Sequence, residues 1–288
     1  MTLREPPPLG TAMLPRDTFT GQAVLVTGGG TGLGKAIACE FARTGANVAI
    51  ASRGVEHRAR GVAAIERLGT KTLGVAVDVR EPESIAAAFD AAEGALGPIT
   101  ILVNNAAGNF PVASEELSPR GWRSVTQIVL DGTFFCSSEL ARRLIARERG
   151  GAILNIGATY SWTGGPGTAA SAAAKAGVTN LTQSLAVEWA PDDIRVNCLA
   201  PGAFPHEDMP EHMRGGRPAD EAARARTIPG GRVGRLHELG WLATYICSPY
   251  AAYLTGETIV LDGANWLRRN LRMPEFEPVR ETLPRRAR

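Results

Sequence analysis

Apolar runs recur along the chain at residues 23–26, 48–51, 72–77, 99–103, 152–156, 195–199 and 258–261. Each is short, nearly continuous and bounded by polar or glycine-rich stretches, so each predicts a strand buried on both faces. Longer stretches lie between them, and residues 33–43, 117–147 and 168–189 read as helices. Strands alternating with helices predict an α/β, Rossmann-type doubly wound fold: a seven-stranded parallel sheet in a single domain, with right-handed crossovers. Residues 1–20 read as an extended leader, 21–263 as the catalytic body and 264–288 as an arginine-rich tail. The pattern breaks at 201–235, where Pro, Gly, Arg and His dominate; a long irregular insertion of this kind predicts a substrate loop.

Composition narrows the class. A chain of 288 residues can bury a large core in one α/β domain. A net charge of +2 gives no reason to expect nucleic acid as a partner. Cys39, Cys136, Cys198 and Cys247 are scattered, no CxxC pair occurs, and the four histidines are dispersed. Reduced thiols and no metal site are expected. The N-terminus carries Pro6, Pro7 and Pro8 and no apolar run, so neither a signal peptide nor a membrane anchor is expected. The final Arg-Arg-Ala-Arg is not a peroxisomal address. The expected location is cytoplasmic.

Candidate chemistry begins after the first strand. Thr27-Gly28-Gly29-Gly30-Thr31-Gly32-Leu33-Gly34 leads from a strand into a helix. Glycines there let the backbone turn sharply and approach a pyrophosphate, and the helix N-terminus offers unpaired N–H groups to its charge. The second strand ends in Ala51-Ser52-Arg53, without the carboxylate that would hold the ribose hydroxyls of NAD. Arg53 can pair with a 2′-phosphate and Ser52 can donate to it, so NADPH is the expected cofactor. Asp78, in Val77-Asp78-Val79, is placed to accept from an adenine amino group or to cap the next helix.

The stretch from Asn155 to Lys175 carries the central question. The glycine spacing at 27–34, Asn104-Asn105-Ala106, Lys175 and Pro201-Gly202 together resemble the short-chain dehydrogenase/reductase family over about residues 20–263. The resemblance implies hydride transfer from a nicotinamide cofactor. It also implies that Val79, Asn105 and Ala106 line the cofactor, that Lys175 holds the nicotinamide ribose, and that Pro201, Gly202, Ala203 and Phe204 flank the nicotinamide. The common catalytic set of that family is Asn, Ser, Tyr and Lys. Here the corresponding positions hold Val129, Ala158, Ser171 and Lys175. A serine hydroxyl is a poor acid for a forming alkoxide, which argues against ordinary carbonyl reduction.

Tyr160 lies fifteen residues before Lys175, and Ser171 lies four before it. That spacing, with Asn104-Asn105-Ala106-Ala107-Gly108-Asn109-Phe110, Ala12-Met13-Leu14-Pro15 and Ile128-Val129-Leu130-Asp131-Gly132-Thr133, resembles the short-chain 2,4-dienoyl-CoA reductases. The implied reaction is NADPH-dependent reduction of a conjugated thioester. Hydride adds at carbon 5, Tyr160 and Asn109 stabilise the dienolate oxygen, and protonation at carbon gives a 3-enoyl thioester. Ser171 bonds to the substrate or orients Tyr160. Arg80 is a candidate partner for CoA phosphates, with Phe110 and Ser118 as substrate contacts and Arg214, Arg217, Arg224 and Arg226 as further cations. The implied partner is an acyl-CoA, and the implied assembly is a homotetramer. Two other readings stay open: a short-chain dehydrogenase acting on an alcohol or ketone with Tyr160 as acid, and a non-catalytic NADP-binding regulator.

Overall fold

The seven apolar runs form seven strands: β1 (Ala23–Thr27), β2 (Asn47–Ser52), β3 (Thr72–Ala76), β4 (Ile99–Asn104), β5 (Gly151–Ile156), β6 (Ile194–Pro201) and β7 (Thr258–Leu261). All six pairings in the computed structural model are parallel, and the strand order is β3-β2-β1-β4-β5-β6-β7. The structure describes residues 2–208 and 221–267. Order reverses between β1 and β4, and the loops leaving the C-terminal ends of those two strands border a crevice, where ligands of such sheets bind.

Among the described residues the α-helices are α1 (Gly32–Arg43), α2 (Val55–Glu66), α3 (Pro82–Leu96), α4 (Pro119–Thr126), α5 (Gly132–Ala146), α6 (Tyr160–Thr163), α7 (Ala169–Trp189), α8 (Glu221–Ala225) and α9 (Leu236–Cys247). One face of the sheet is covered by Ile37 and Phe41 of α1, Ile65 of α2 and Leu239 and Ile246 of α9. The other is covered by Ile85 and Phe89 of α3, Leu140 and Leu144 of α5 and Leu185 and Trp189 of α7. Strands apolar throughout are what two covered faces require.

Residues 117–147 do not form one uninterrupted helix. Ser118 caps α4 by accepting from the Gly121 N–H at 3.1 Å, with Pro119 following it. A π turn, Gln127–Asp131, then joins α4 to α5. The inserted residue of such a turn shifts the helix register and re-aims side chains, and π turns favour functional sites. Val129, in the middle of this one, is completely buried and packs with Val125, Ala174 and Val178.

A polar crossbar lies under the C-terminal ends of β4 and β5. Asn104 Nδ2 donates to Ser137 Oγ and to Asn155 Oδ1, both at 2.9 Å, and Asn155 Nδ2 donates to Thr182 Oγ1 at 2.9 Å. All four side chains are buried, and the bonds offset the cost of burying them. The crossbar fixes the spacing of the two strands whose following loops carry Asn109 and Tyr160.

The packed body reaches beyond residues 21–263 at both ends. Leu14 and Phe19 are buried in the core, and the Phe19 ring meets Phe41 with centroids 5.2 Å apart. The first residues run along the second half of the insertion: Leu3 N–H donates to Gly230 O at 2.8 Å, and Arg235 pairs with Glu5 at 2.9 Å and Glu221 at 2.7 Å. At the other end Trp266 packs on Trp162 of α6, with centroids 5.3 Å apart. Arg214, Arg217 and the arginines from Arg268 onward lie outside the described residues.

Candidate active site

The cofactor cleft is built by glycines whose missing Cβ atoms matter. A Cβ on Gly28 would sit 2.9 Å from Asn105 Nδ2, and one on Gly34 would sit 2.4 Å from the same atom. Asn105 needs that proximity because its Nδ2 donates to Thr27 O at 3.0 Å and to Gly28 O at 3.2 Å. Thr27 is buried at the hinge: its hydroxyl donates to Val103 O and accepts from the Asn105 and Ala106 N–H groups, both at 3.0 Å. The first and fourth strands are thus locked together where the crevice opens. Gly30 serves packing, since a Cβ there would lie 2.1 Å from the His57 carbonyl of α2.

One pocket gathers Gly28, Thr31, Gly32 and Leu33 with Ser52, Arg53, Asp78, Val79, Asn105 and Ala106, all residues expected from sequence. Thr27, Gly30 and Gly34 shape this cleft from behind. His57, Ile128 and His206 also line it and were not anticipated. Arg58 was missed as well; its guanidinium donates to Ser52 O at 2.7 Å and Arg53 O at 2.8 Å and so orders the β2–α2 turn. A basic start to α2, with His57, Arg58 and Arg60, was the available signal.

Several expected contacts take other roles. Phe204 is buried in the core against Gly234 rather than facing the cleft; a Cβ on Gly234 would meet its ring at 2.3 Å. Pro201, Gly202 and Ala203 are half-buried, and Gly202 N–H donates to Leu261 O at 2.9 Å, so this stretch continues the sheet edge. Ser118 is the cap of α4, and Phe110 packs against the apolar cluster of Val125, Val129 and Val178. Arg80 does not stand alone: its Nε donates to Asp78 Oδ1 at 2.9 Å. That hydrogen bond holds the Asp78 carboxyl down at about 2, so it is ionised and an acceptor at any working pH.

Two of the catalytic candidates meet directly. Tyr160 opens α6 on the loop after β5, and its hydroxyl lies 3.0 Å from Ser171 Oγ on α7. Ser171 and Lys175 are one helical turn apart and both are buried. Lys175 Nζ donates to Ile156 O at the end of β5. Burial pulls the Lys175 ammonium down to about 8, well below an ordinary lysine. Asn109 lies half-exposed on the loop after β4. That loop is tied to the one before α7 by the Val112 N–H, which donates to Gly167 O at 2.8 Å.

Residues 28–264 match the profile of a family described as Enoyl-(Acyl carrier protein) reductase. A short chain dehydrogenase from Bacillus anthracis shares the fold with a TM-score of 0.78 and 40% identity, over 87% of this chain and 98% of that one. The chain belongs to the short-chain dehydrogenase/reductase family. Its relatives include a probable 2,4-dienoyl-CoA reductase of Bacillus subtilis, described as (2E)-enoyl-CoA-producing, 41% identical over 85% of this chain and 97% of the relative. A probable 2,4-dienoyl-CoA reductase of Caenorhabditis elegans, decr-1.2, described as (3E)-enoyl-CoA-producing, is 40% identical over 85% of this chain and 80% of the relative. As a family member the chain is an oxidoreductase that uses a nicotinamide dinucleotide. The cleft fits that group: Gly32 N–H already binds a carboxylate, Asp208 Oδ2 at 2.9 Å, where a dinucleotide would place a phosphate. Among the described residues no helix is long and apolar enough to cross a membrane, and no cluster of His, Cys, Asp or Glu could hold a metal.

Proposed function

We propose that the protein is an NADPH-dependent reductase of 2,4-dienoyl-CoA thioesters. The observation that carries the reading is the Tyr160–Ser171 hydrogen bond beside buried Lys175, with the helical tyrosine slot filled by that same serine. The phenol has moved from helix to loop while staying in contact with the helix. The names of the two relatives support the same substrate class.

The cofactor supplies a hydride, which goes to carbon 5 of the conjugated thioester. Charge then moves onto the thioester oxygen, and a preorganised donor aimed at that oxygen is the main requirement. Tyr160 Oη donates to it, and the Asn109 amide is the second donor. Ser171 accepts from or donates to the phenol and fixes its rotamer. Lys175 holds the nicotinamide ribose and contributes positive charge. No acid is needed at the oxygen, which is why Val129 and Ala158 are tolerated at positions where carbonyl reductases keep polar groups. The dienolate takes its proton at carbon. Protonation at carbon 2 leaves the double bond between carbons 3 and 4, and protonation at carbon 4 leaves it between carbons 2 and 3. The two relatives' names span that choice; our reading for this chain is protonation at carbon 2, giving the 3-enoyl thioester, and with no proton to give at Val129 or Ala158 the proton comes from water.

Arg53 and Ser52 make the 2′-phosphate the expected discriminator of NADPH from NADH. The deciding experiment mixes purified protein with NADPH and a medium-chain 2,4-dienoyl-CoA in deuterated water and identifies the product. Cofactor oxidation with deuterium at carbon 2 of a 3-enoyl-CoA is expected. Cofactor oxidation by a ketone panel, with none by the dienoyl-CoA, would show an ordinary carbonyl reductase. NADPH binding without turnover on any substrate would show a regulator.

A further inference from the structure

The phosphate cradle is occupied by the chain itself. Residues after β6 turn back across the cleft, and Asp208 places its carboxylate at the N-terminus of α1. Oδ2 accepts from the Gly32 N–H at 2.9 Å and lies 3.1 Å from Lys35 Nζ, while Oδ1 lies 3.0 Å from Arg60 Nη1. The side chain is 4% exposed. Burial opposes its ionisation, but Gly32 N–H, Lys35 and Arg60 outweigh it and hold the carboxyl below its ordinary range. Glu207, beside it, reaches Lys35 at 3.3 Å. An anion, a helix N-terminus and two cations form the same arrangement that a pyrophosphate seeks.

His206 covers the same spot. A Cβ on Gly32 would lie 2.7 Å from the His206 ring, and the ring lines the cofactor pocket. Its Nδ1 is buried without a hydrogen-bond partner. An orphaned polar atom raises the free energy of the docked arrangement, so the segment is held by Asp208 and opposed by His206. α1 has no acidic residue in its first turn, and its N-cap residue Thr31 makes no side-chain cap bond, so Gly32 N–H draws its anion from 176 residues away.

We propose that Asp208 is a built-in competitor of the cofactor's pyrophosphate, so that cofactor binding must expel the segment Pro205–Asp208 from the cleft. This rests on the reading of the cleft as a dinucleotide site. Binding of the cofactor and release of the start of the substrate insertion become one event, and the free enzyme keeps its basic cradle from other phosphate compounds. A ligand that binds only the open form has its apparent affinity reduced by the open fraction, so a segment docked in about nine molecules of ten weakens binding about tenfold.

The test is NADPH affinity by isothermal titration calorimetry in the parent and in Asp208→Asn. The neutral amide removes the charge that mimics phosphate and leaves α1, Lys35 and Arg60 in place. The variant should bind NADPH several-fold tighter, by up to about tenfold. Amide hydrogen exchange gives a second readout. In the parent, NADPH should speed exchange in the peptide spanning 203–208; in the variant that peptide should exchange fast with or without NADPH. Equal or weaker NADPH affinity in Asp208→Asn, or NADPH slowing exchange at 203–208 in the parent, overturns the proposal while leaving the dinucleotide site intact. A parent that binds neither NADPH nor NADH overturns both.

Discussion

Tyr160→Phe removes one hydroxyl and keeps the ring. In the folded enzyme that hydroxyl meets Ser171 Oγ at 3.0 Å at a half-buried position. Losing one neutral hydrogen bond costs roughly 0.5–1.5 kcal/mol of stability, or about 1–3 °C in a domain of this size. Losing one preorganised donor to a developing oxyanion costs about 2.7–4 kcal/mol in the transition state, or roughly 10²–10³ in kcat. The two magnitudes separate a catalytic from a structural hydroxyl. Ser171→Ala leaves the donor and removes its tether, so kcat should fall only about five- to tenfold. Because Ser171 acts through the phenol, adding Ser171→Ala to Tyr160→Phe should cost little more than Tyr160→Phe alone. The assay is initial-rate NADPH oxidation at saturating dienoyl-CoA, with thermal unfolding measured on the same preparations. A Tyr160→Phe enzyme within about threefold of the parent kcat would refute the assignment of Tyr160 as the oxyanion donor.

Arg53→Ala should raise the Kd for NADPH about tenfold or more through loss of a charge-assisted contact, and leave NADH almost unchanged; parallel titrations check it. Lys175, pulled down to about 8 by burial, loses its charge as pH rises through that value in the free enzyme. kcat/KM should therefore fall on the alkaline side with an apparent pKa near 8, measured as a pH–rate profile. The same shift makes the unfolded chain bind more protons between that value and the ordinary lysine range, so this group's contribution to stability rises with pH across the window. Phe19→Ala should destabilise by about 3–5 kcal/mol and lower the unfolding temperature by roughly 6–10 °C in a thermal scan, because the ring is fully buried against Phe41. Trp122, Phe134 and Val187 leave apolar area exposed on α4, α5 and α7, and light scattering should return the mass of a homotetramer.

Much of the fold was legible because buried strands leave continuous apolar runs, and each of the seven runs became a strand. The cradle was legible because glycines between a strand and a helix have few other uses. Tyr160, Ser171 and Lys175 could be grouped by the type and spacing they share with the short-chain 2,4-dienoyl-CoA reductases, and the structure brings the first two hydroxyls to 3.0 Å of each other. Other features depend on packing that spacing does not encode. Phe204 looked like a cofactor neighbour because it follows Pro201-Gly202, yet Gly234 leaves a hollow that its ring fills. The π turn at Gln127–Asp131 needs only one extra residue in a helical stretch, which the apolar pattern hides. Ser118-Pro119 was a readable cap and start signal that a functional reading of Ser118 obscured. Asp208 meets Gly32 across 176 residues, and nothing local to either announces the contact.

The leader has a consequence for how the chain comes to be folded. Glu5 meets Arg235 and Pro7 meets His237, each across 230 residues. These first residues leave the ribosome long before their partners are made. The contact they form is among the most non-local in the chain, and its loop-closure entropy is offset only once the sheet has brought the ends together. Growing chains therefore carry an unattached N-terminal stretch of peptide through most of synthesis, and the clasp between Leu3 and Gly230 cannot close before residue 230 has been made. A protein extension fused ahead of Met1 would be dragged into that final step, so refolding yield should be more sensitive to N-terminal fusions than the native enzyme's stability is.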